Sequence, residues 1–225
     1  MQPQIRYVAN LNNFNLIPGA SFAYWCKNFS IFNFPKLSDY YVSGGRNKTH
    51  NNELYLRNWW EIKPSDKWQP YANGGDFRRW YGNNFNVVNW THEAKKFYDS
   101  HGGLYNKKFW GKTGVCWNLI TSYKNSFRVK DANFHYSSAS PTIISQDEKL
   151  DLCVLGFLNT ELVASILQMM NPTLNTTVSD VLNLPFEIKE KKEDVSNLVQ
   201  YNLNLSKNDW DSFETSWDFK KHPLI

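Results

Sequence analysis

The sequence predicts an α+β fold, mainly β with inserted helices, and three observations carry this prediction. Short runs rich in Val, Ile and aromatic residues recur at close spacing through the middle of the chain, which is typical of strands. In the last third, apolar residues recur at helical spacing instead. Aromatic residues make up 16% of the 225 residues and include 10 Trp, which is ample for a folded core.

Residues 1–41 predict the entry of a domain rather than a complete unit. Residues 20–34 are apolar with aromatic peaks and predict a short helix followed by a strand. Residues 40–42 predict another strand, and a Gly- and Asn-rich loop follows at residues 43–52. Residues 54–62 then have the length and the aromatic composition of a further strand.

The stretch from Trp68 to Trp90 is the part around which the chain is organised. It interleaves seven large aromatic residues with the pair Gly74-Gly75, the pair Arg78-Arg79 and several asparagines. Val87-Val88 predicts a short buried strand that would hold the loop on a sheet. Arginine offers a planar fork that matches phosphates and guanine, so the stretch fits a nucleic-acid surface. An aromatic core with two solvated arginines explains the same residues equally well.

The remainder of the middle region predicts one helix and several strands. Residues 92–103 predict a helix that Gly102-Gly103 terminates. Strands are predicted within residues 115–123, 127–129, 134–136 and 142–144.

After residue 147 the pattern becomes helical. A helix is predicted to end at Asn159, and Thr160 would cap a second one, which Asn171-Pro172-Thr173 stops. Residues 178–186 predict a strand that closes the domain, and a charged run follows. Trp210, Phe213 and Trp217 then recur at helical spacing. They form a narrow apolar face that has little of its own to pack on. We therefore expect a main domain over residues 1–188, to which residues 189–225 are a dispensable appendage.

Charge is distributed unevenly along the chain. Residues 44–130 hold 15 Lys+Arg against 6 Asp+Glu, a balance of +9, whereas residues 131–225 hold 7 against 14, a balance of −7. A basic middle and an acidic tail indicate a surface that faces a polyanion, with another region facing something else. Ordinary surface charge for solubility is the alternative.

Several classes of function lack their signatures. The chain has neither a Gly-rich phosphate loop nor a Gly-x-Ser-x-Gly elbow, and its five histidines lack metal-ligand spacing. Three widely spaced cysteines predict buried free thiols rather than disulfides. The first residues lack the regions of a signal peptide and no apolar run could span a bilayer, so we expect an intracellular protein without a catalytic or metal site.

Taken together, these residues resemble the specificity region of large adenine-specific DNA methyltransferases of phage-exclusion (BREX-type) systems, with Type IIG restriction-modification enzymes as cousins. The resemblance runs through nearly the whole chain and is most specific at Trp68–Trp90. Its other blocks are IPG at 17–19, AYW at 23–25, GRNKTHNN at 45–52, LRNWWE at 56–61, LGFLNT at 155–160, NPTLN at 171–175 and WDSFETSWDF at 210–219.

The resemblance implies a target recognition domain at residues 1–188, followed by the beginning of a helical spacer at residues 189–225. Such a domain reads double-stranded DNA and positions adenine for N6 methylation. The catalytic domain, with its S-adenosylmethionine pocket, would lie upstream of Met1. This fragment is then expected to hold no cofactor, whereas the parent enzyme would use S-adenosylmethionine in the cytoplasm. Its partners would be the missing methyltransferase domain and other defence-system subunits.

The resemblance also singles out candidate DNA-binding residues. The Thr49 loop is similar to the Thr-Gly-x-Asn loop of recognition domains, although His50 stands where Gly is usual, which leaves the turn geometry open. Thr49, Asn51 and Asn52 are candidates for reading bases, and turn capping by the asparagines is the alternative. The cations expected to line the same DNA-facing cleft are Arg46, Lys48, Arg78, Arg79, Lys124 and Arg128.

Two alternatives remain for these residues and for the chain as a whole. The pair Arg78-Arg79 could instead form salt bridges with Asp76 or Glu93. The chain could also be a protein-interaction module that docks partner defence subunits or a phage inhibitor.

Overall fold

Two four-stranded sheets and the helices that pack on them make up the protein, which we describe from a computed structural model. The structure describes residues 8, 10–122, 124–147, 151–187, 190–222 and 224–225. Within these, the strands are β1 (Tyr41–Val42), β2 (Leu56–Asn58), β3 (Trp68–Ala72), β4 (Asn86–Asn89), β5 (Gly114–Cys116), β6 (Arg128–Lys130), β7 (His135–Tyr136) and β8 (Thr142–Ser145). The α-helices are α1 (Leu11–Phe14), α2 (Asn52–Tyr55), α3 (His92–Ser100), α4 (Leu152–Leu158), α5 (Glu161–Met170), α6 (Val178–Leu182) and α7 (Lys192–Trp210). The predicted α+β fold is confirmed.

Sheet A has the strand order β1-β8-β5-β6, and its pairs are all antiparallel. Val115 at its centre lies opposite Val129 on one side and Ile143 on the other. Val115 and Ile143 are fully buried, because helices and the N-terminal segment cover the sheet. The first hydrophobic core therefore lies between sheet A and α4, α5 and α6.

Sheet B has the strand order β2-β4-β3-β7, antiparallel except for the parallel pair β3–β7. Val87 and Val88 occupy its centre and are fully buried, as the sequence predicts. Pro70 lies in β3 opposite Val87, but β7 pairs only with Tyr71 and Ala72, so the missing N–H of the proline breaks no ladder bond to β7.

A second core, largely aromatic, packs beneath sheet B and α3. Trp90, Tyr98, Tyr105 and Tyr136 are buried in it. Thr91 caps α3 by accepting the N–H of Ala94 at 3.3 Å, so the helix begins at His92, as predicted.

The strand predicted over residues 178–186 is wrong. Residues 178–182 form α6, because Thr177 and Asp180 make a capping box. The hydroxyl of Thr177 accepts the N–H of Asp180 at 3.3 Å, and the carboxylate of Asp180 accepts the N–H of Thr177 at 2.7 Å. The spacing of the apolar residues in this short segment is compatible with a strand and with a helix. The capping box therefore determines that it is a helix.

The helix and strand predicted within residues 20–34 are also wrong. Residues 20–28 contain neither helix nor strand, with a turn at Tyr24-Trp25, and Phe29–Asn33 form a 3₁₀ helix. Asn28 begins this helix by accepting the N–H of Ser30 at 3.0 Å. Elsewhere the predicted strands are present with shifted bounds, but within residues 54–62 only Leu56–Asn58 form a strand, between α2 and a 3₁₀ helix at Trp59–Glu61. Tyr123 and Leu150, at the ends of two predicted elements, lie outside the described residues.

The expectation that the C-terminal segment has little to pack on is wrong. Helix α7 lies against α4, and its Val199 belongs to the first core. At its end, Trp210 is only 6% exposed, with its ring centroid 4.8 Å from that of Phe85. Beyond the helix, Trp217 stacks on Trp59 with centroids 5.2 Å apart. The predicted boundary at residues 188 and 189 lies outside the described residues, so the two-domain division stays a prediction.

In the part of the chain that the structure covers, no single helix is long and apolar enough to cross a membrane. Taken together, α4 and α5 meet the same criteria of length and composition, with a bend of 64° between them.

Candidate nucleic-acid interface

The loop that carries Thr49 forms one wall of an open pocket of about 350 Å³, the Thr49 pocket. Loop residues 47–50 and 52 line it, together with Tyr71 of β3, Asn73 and residues 137–139 after β7. The pocket therefore lies where the parallel pair β3–β7 of sheet B ends.

The backbone of the loop is fixed by its neighbours. His50 has a φ of 57°, the left-handed conformation for which a glycine would be expected, and His tolerates it better than most residues. The N–H of Lys48 donates to the carbonyl of Gly103 at 2.7 Å, and a Cβ at Gly103 would collide with the Lys48 carbonyl. On the other side, the N–H of Ser138 donates to the carbonyl of Asn47 at 2.9 Å. The turn keeps its glycine-type geometry although the glycine is replaced.

Asn47 is a residue of this site that our sequence reasoning did not assign. It is fully buried, and its amide Nδ2 donates to the hydroxyl of Tyr71 at 2.9 Å. Burial raises the pKa of Tyr71, which keeps that hydroxyl protonated. Asn47 Oδ1 has no hydrogen-bond partner within the described part of the protein. Such an acceptor beside a pocket is suited to an N–H group of a ligand or a water.

The three predicted base-reading residues have different surroundings. Thr49 is buried and donates its hydroxyl to Asn52 Oδ1. Asn51 Oδ1 accepts the N–H of Leu54 at 3.1 Å and so caps α2, which confirms the capping alternative for this oxygen. Both asparagines are exposed, and we find no acceptor for their Nδ2 groups among the residues described. The hydrogen bonds that the two Oδ1 atoms accept thus hold both side chains in place, with their Nδ2 groups at the rim of the loop.

Of the two loop cations, Arg46 is exposed and Lys48 is half-buried against the Thr49 pocket. Both lie on the same short segment as the asparagines, so this loop combines positive charge with amide groups.

Arg78 ties the central stretch to the C-terminal helix. Its guanidinium forms an ion pair with Asp209, donates from Nε to the carbonyl of Tyr81 at 3.1 Å and lies 4.9 Å from the ring centre of Trp210. The partner is neither Asp76 nor Glu93. Through these contacts Arg78 holds α7 in place.

Arg79 and Lys124 share a carboxylate at a second surface, which we call the Glu161 cluster. Lys124 Nζ lies 2.7 Å from Glu161 Oε2, and Arg79 Nη2 lies 3.7 Å from Glu161 Oε1. The hydrogen bond from Lys124 is the main cause that lowers the pKa of Glu161. All three side chains are partly or largely exposed, so these two cations remain at the surface.

Arg128 is buried, with 1% of its surface exposed, and acts inside the fold. Its Nη2 donates to Asn118 Oδ1 at 2.8 Å, while Asn118 Nδ2 donates to the carbonyl of Gly75 at 2.5 Å. Gly75 has a φ of 133°, which other residues resist. Arg128 therefore braces the glycine turn that precedes the arginine pair.

The turn at Gly74-Gly75 connects the Thr49 pocket with the Glu161 cluster along the chain. Gly74 follows Asn73, which lines the Thr49 pocket, and a Cβ at Gly74 would lie 3.3 Å from the carbonyl oxygen of Ala139 on the same pocket. Beyond the turn, Trp80 has a φ of 73° and is held by backbone bonds of 2.9 Å to Phe127 and Val129 of the β6 region. The prediction that both surfaces belong to one DNA-facing cleft stays a prediction.

The uneven charge of the sequence has a structural counterpart. Cations of the basic middle pair with carboxylates of the acidic tail, namely Arg78 with Asp209 and both Arg79 and Lys124 with Glu161. The tail therefore neutralises part of the basic surface.

Within the described ranges, no three His, Cys, Asp or Glu side chains are grouped so as to hold a metal ion. Asn171 ends α5 by donating its N–H to the carbonyl of Leu167 at 2.8 Å, which confirms that Asn171-Pro172-Thr173 stops a helix. The three cysteines are free, with Cys26 half-buried and the other two buried.

Known proteins similar to this chain are adenine-specific methyltransferases, and no family model matches it. Over 99% of its length the chain is 31% identical to the adenine-specific methyltransferase PglX of Lacticaseibacillus casei (strain Zhang). Over 95% of its length it is 29% identical to the adenine-specific methyltransferase BrxX of Escherichia coli O9:H4 (strain HS). The matched regions are 21% and 19% of those proteins, so the chain spans about one fifth of the length of the curated relatives it matches.

Proposed function

We propose that this chain is the DNA sequence-recognition part of an adenine-specific (N6) DNA methyltransferase of a phage-defence or restriction-modification system. Methyl transfer would be performed by another part of the protein. The observation that carries the proposal is the Thr49 loop with its pocket: the fixed loop presents amide donors, cations and a buried acceptor that has no partner among the described residues. The near-complete match of the chain to one fifth of two adenine-specific methyltransferases supports it.

The two surfaces would have different tasks on DNA. The amide groups of Asn51 and Asn52 can donate to base edges in a groove, which is how sequence is read directly. Arg46, Lys48, Arg79 and Lys124 can contact phosphates, which sets position and register but carries no sequence information. Arg78 and Arg128 would support these contacts from within the fold. Because a methyltransferase must extrude its target base, a separate part that grips the flanking duplex is useful to it.

The parent enzyme would use S-adenosylmethionine in the cytoplasm, and its partners would be double-stranded DNA, the methyltransferase domain and other defence-system subunits. We expect this chain by itself neither to bind S-adenosylmethionine nor to methylate DNA. Isothermal titration calorimetry checks this directly, because stoichiometric micromolar binding of the cofactor would contradict the division of tasks.

The experiment that tests the proposal is binding of the chain to duplex DNA over a range of salt concentrations. Contacts dominated by phosphates predict a dissociation constant of roughly 10⁻⁴ to 10⁻⁶ M near physiological salt. Replacing Arg46 by Gln should flatten the dependence of log K on log salt by about one unit. The matched control is Lys63→Gln, an exposed cation that lies outside the Thr49 loop. No binding even at low salt, or equal effects of both substitutions, would overturn the proposal.

The alternative of a protein-interaction module is favoured by a different surface. Phe22, Tyr24 and Trp25 are exposed aromatics near the N-terminus. Exposed apolar groups that lie together mark contacts with other proteins or domains. A DNA reader within a larger enzyme also needs such contacts with its neighbouring domain, so this surface is compatible with both functions.

A further inference from the structure

Two cations from separate parts of the chain meet at one surface carboxylate in the Glu161 cluster. Arg79 follows the glycine turn, Lys124 lies between β5 and β6, and Glu161 is the first residue of α5. Each carboxylate oxygen faces a different cation, at 2.7 Å for Lys124 and 3.7 Å for Arg79. Two positive charges against one negative leave the cluster with one positive charge in excess.

The contacts to Glu161 are exposed and replaceable. The side chain of Glu161 is 67% exposed, and those of Arg79 and Lys124 are 31% and 42% exposed. Exposed ion pairs contribute little to stability because water and salt screen them. The start of α5 is secured separately, since Thr160 accepts the N–H of Val163 at 3.3 Å. Removing the charge of Glu161 should therefore leave the fold intact.

The surroundings of the cluster suit a sugar-phosphate backbone. Lys124 and Glu161 line an open groove of about 350 Å³ whose other walls carry hydroxyl and amide side chains, among them Ser122, Ser165 and Gln168. Such side chains commonly bond phosphate and sugar oxygens of DNA. A phosphodiester presents two equivalent oxygens to an arginine and a lysine, as the carboxylate does here.

We propose that Arg79 and Lys124 form a binding site for a backbone phosphate of DNA, which the carboxylate of Glu161 occupies in the free protein. This inference rests on the proposed function of the chain. DNA binding then exchanges a carboxylate for a phosphate at the same two cations. Because Glu161 competes with every phosphate alike, it weakens binding to all sequences and leaves more of the discrimination to the Thr49 pocket.

The test compares Glu161→Gln with a matched charge variant. Glu193 is also an exposed glutamate in the first turn of a helix, α7, so Glu193→Gln changes net charge and helix start in the same way at another place. Binding to a duplex of arbitrary sequence is measured by fluorescence anisotropy at several salt concentrations, with thermal unfolding as the check on folding. Glu161→Gln should bind about five-fold tighter than wild type, the effect of one charge about 4 Å away in water. Its salt dependence should be steeper by about one unit.

The outcomes separate the two proposals. Equal affinities of Glu161→Gln and Glu193→Gln, with DNA binding by the wild type, would overturn this inference and leave the proposed function standing. A gain that persists in Lys124→Ala/Glu161→Gln would also overturn it, because the site then does not need Lys124. No binding by any variant at low salt would overturn both proposals.

Discussion

At the scale of single residues, buried polar groups determine how the protein responds to its surroundings. His135 is buried in the aromatic core, stacked on Trp90 with ring centroids 3.7 Å apart, and its Nδ1 lies 2.7 Å from the hydroxyl of Tyr105. Burial, aided by the charges of Lys130 and Lys95, lowers the pKa of His135 from 6.5 to about 3. The histidine is therefore neutral in the folded protein at pH 7.

This depressed pKa makes stability depend on pH in a defined direction. Between pH 6.5 and pH 3 the unfolded chain binds a proton at His135 that the folded protein does not, so stability falls as the pH is lowered. From pH 7 to pH 5.5 we expect His135 to contribute a loss of about 1 kcal/mol in the free energy of unfolding. Urea denaturation at each pH measures it. His135→Asn should lack this component and the exposed control His92→Asn should keep it, whereas equal pH dependence of both variants would refute the assignment.

Asn51 combines a structural bond with a proposed contact. Its side-chain oxygen caps α2, so Asn51→Ala should lower the free energy of unfolding by about 1 kcal/mol. Asn51→Asp keeps the cap and should keep the stability, but it places a negative charge at the proposed DNA surface and should weaken binding. Chemical denaturation and DNA titration of the two variants separate these effects. Equal destabilisation by Ala and Asp would show that the capping bond is not what matters.

At the scale of elements, the C-terminal helix is fastened to the domain by close packing against α4. A Cβ at Gly156 would lie 2.6 Å from Val199 Cγ2, so the two helices approach each other where the glycine has no side chain. Arg78 and Trp210 fasten the other end of α7. The helix thus bridges the first core and the central stretch.

Because of this packing, replacing Gly156 by Ala should lower the free energy of unfolding rather than raise it. In an exposed helix Gly→Ala stabilises by up to about 1 kcal/mol, but here the added methyl overlaps Val199, so Gly156→Ala should destabilise by about 1–3 kcal/mol. In the double variant Gly156→Ala/Val199→Ala the overlap is removed, and its destabilisation should be smaller than the sum of the single effects. Thermal denaturation measures all three variants. A stabilising Gly156→Ala would mean that α7 does not pack on α4.

Elements whose boundaries are encoded locally could be predicted from the sequence, whereas pairings between distant residues could not. Thr160 precedes an apolar helical face, and the helix begins there. The choice between strand and helix at Val178 depended on a cap that involves only Thr177 and Asp180, and we missed it. The bond of Arg78 to Asp209 joins residues 131 positions apart, and no local pattern indicates it. Asn47 lay within a block that we recognised, but only the fold shows that its side-chain oxygen is buried without a partner among the residues described.

At the scale of the whole molecule, positive and negative halves of the sequence fold against each other. Carboxylates of α5 and α7 neutralise arginines of the central stretch, while the Thr49 loop keeps its cations exposed or half-buried. On the proposed function, this partial neutralisation would give the chain moderate affinity for any DNA, which suits a reader that must leave wrong sequences quickly. The central claim is that the recognised sequence is determined by this chain.

The most direct test of that claim is the sequence methylated by a chimera. In the full-length Lacticaseibacillus casei relative, the region that matches this chain is replaced by it, and the reciprocal exchange is made in the parent protein. Methylated adenines are then mapped across the genome of a host that carries each protein. We expect the methylated sequence to follow the exchanged region in both directions. A methylated sequence that stays with the rest of each protein would contradict the account.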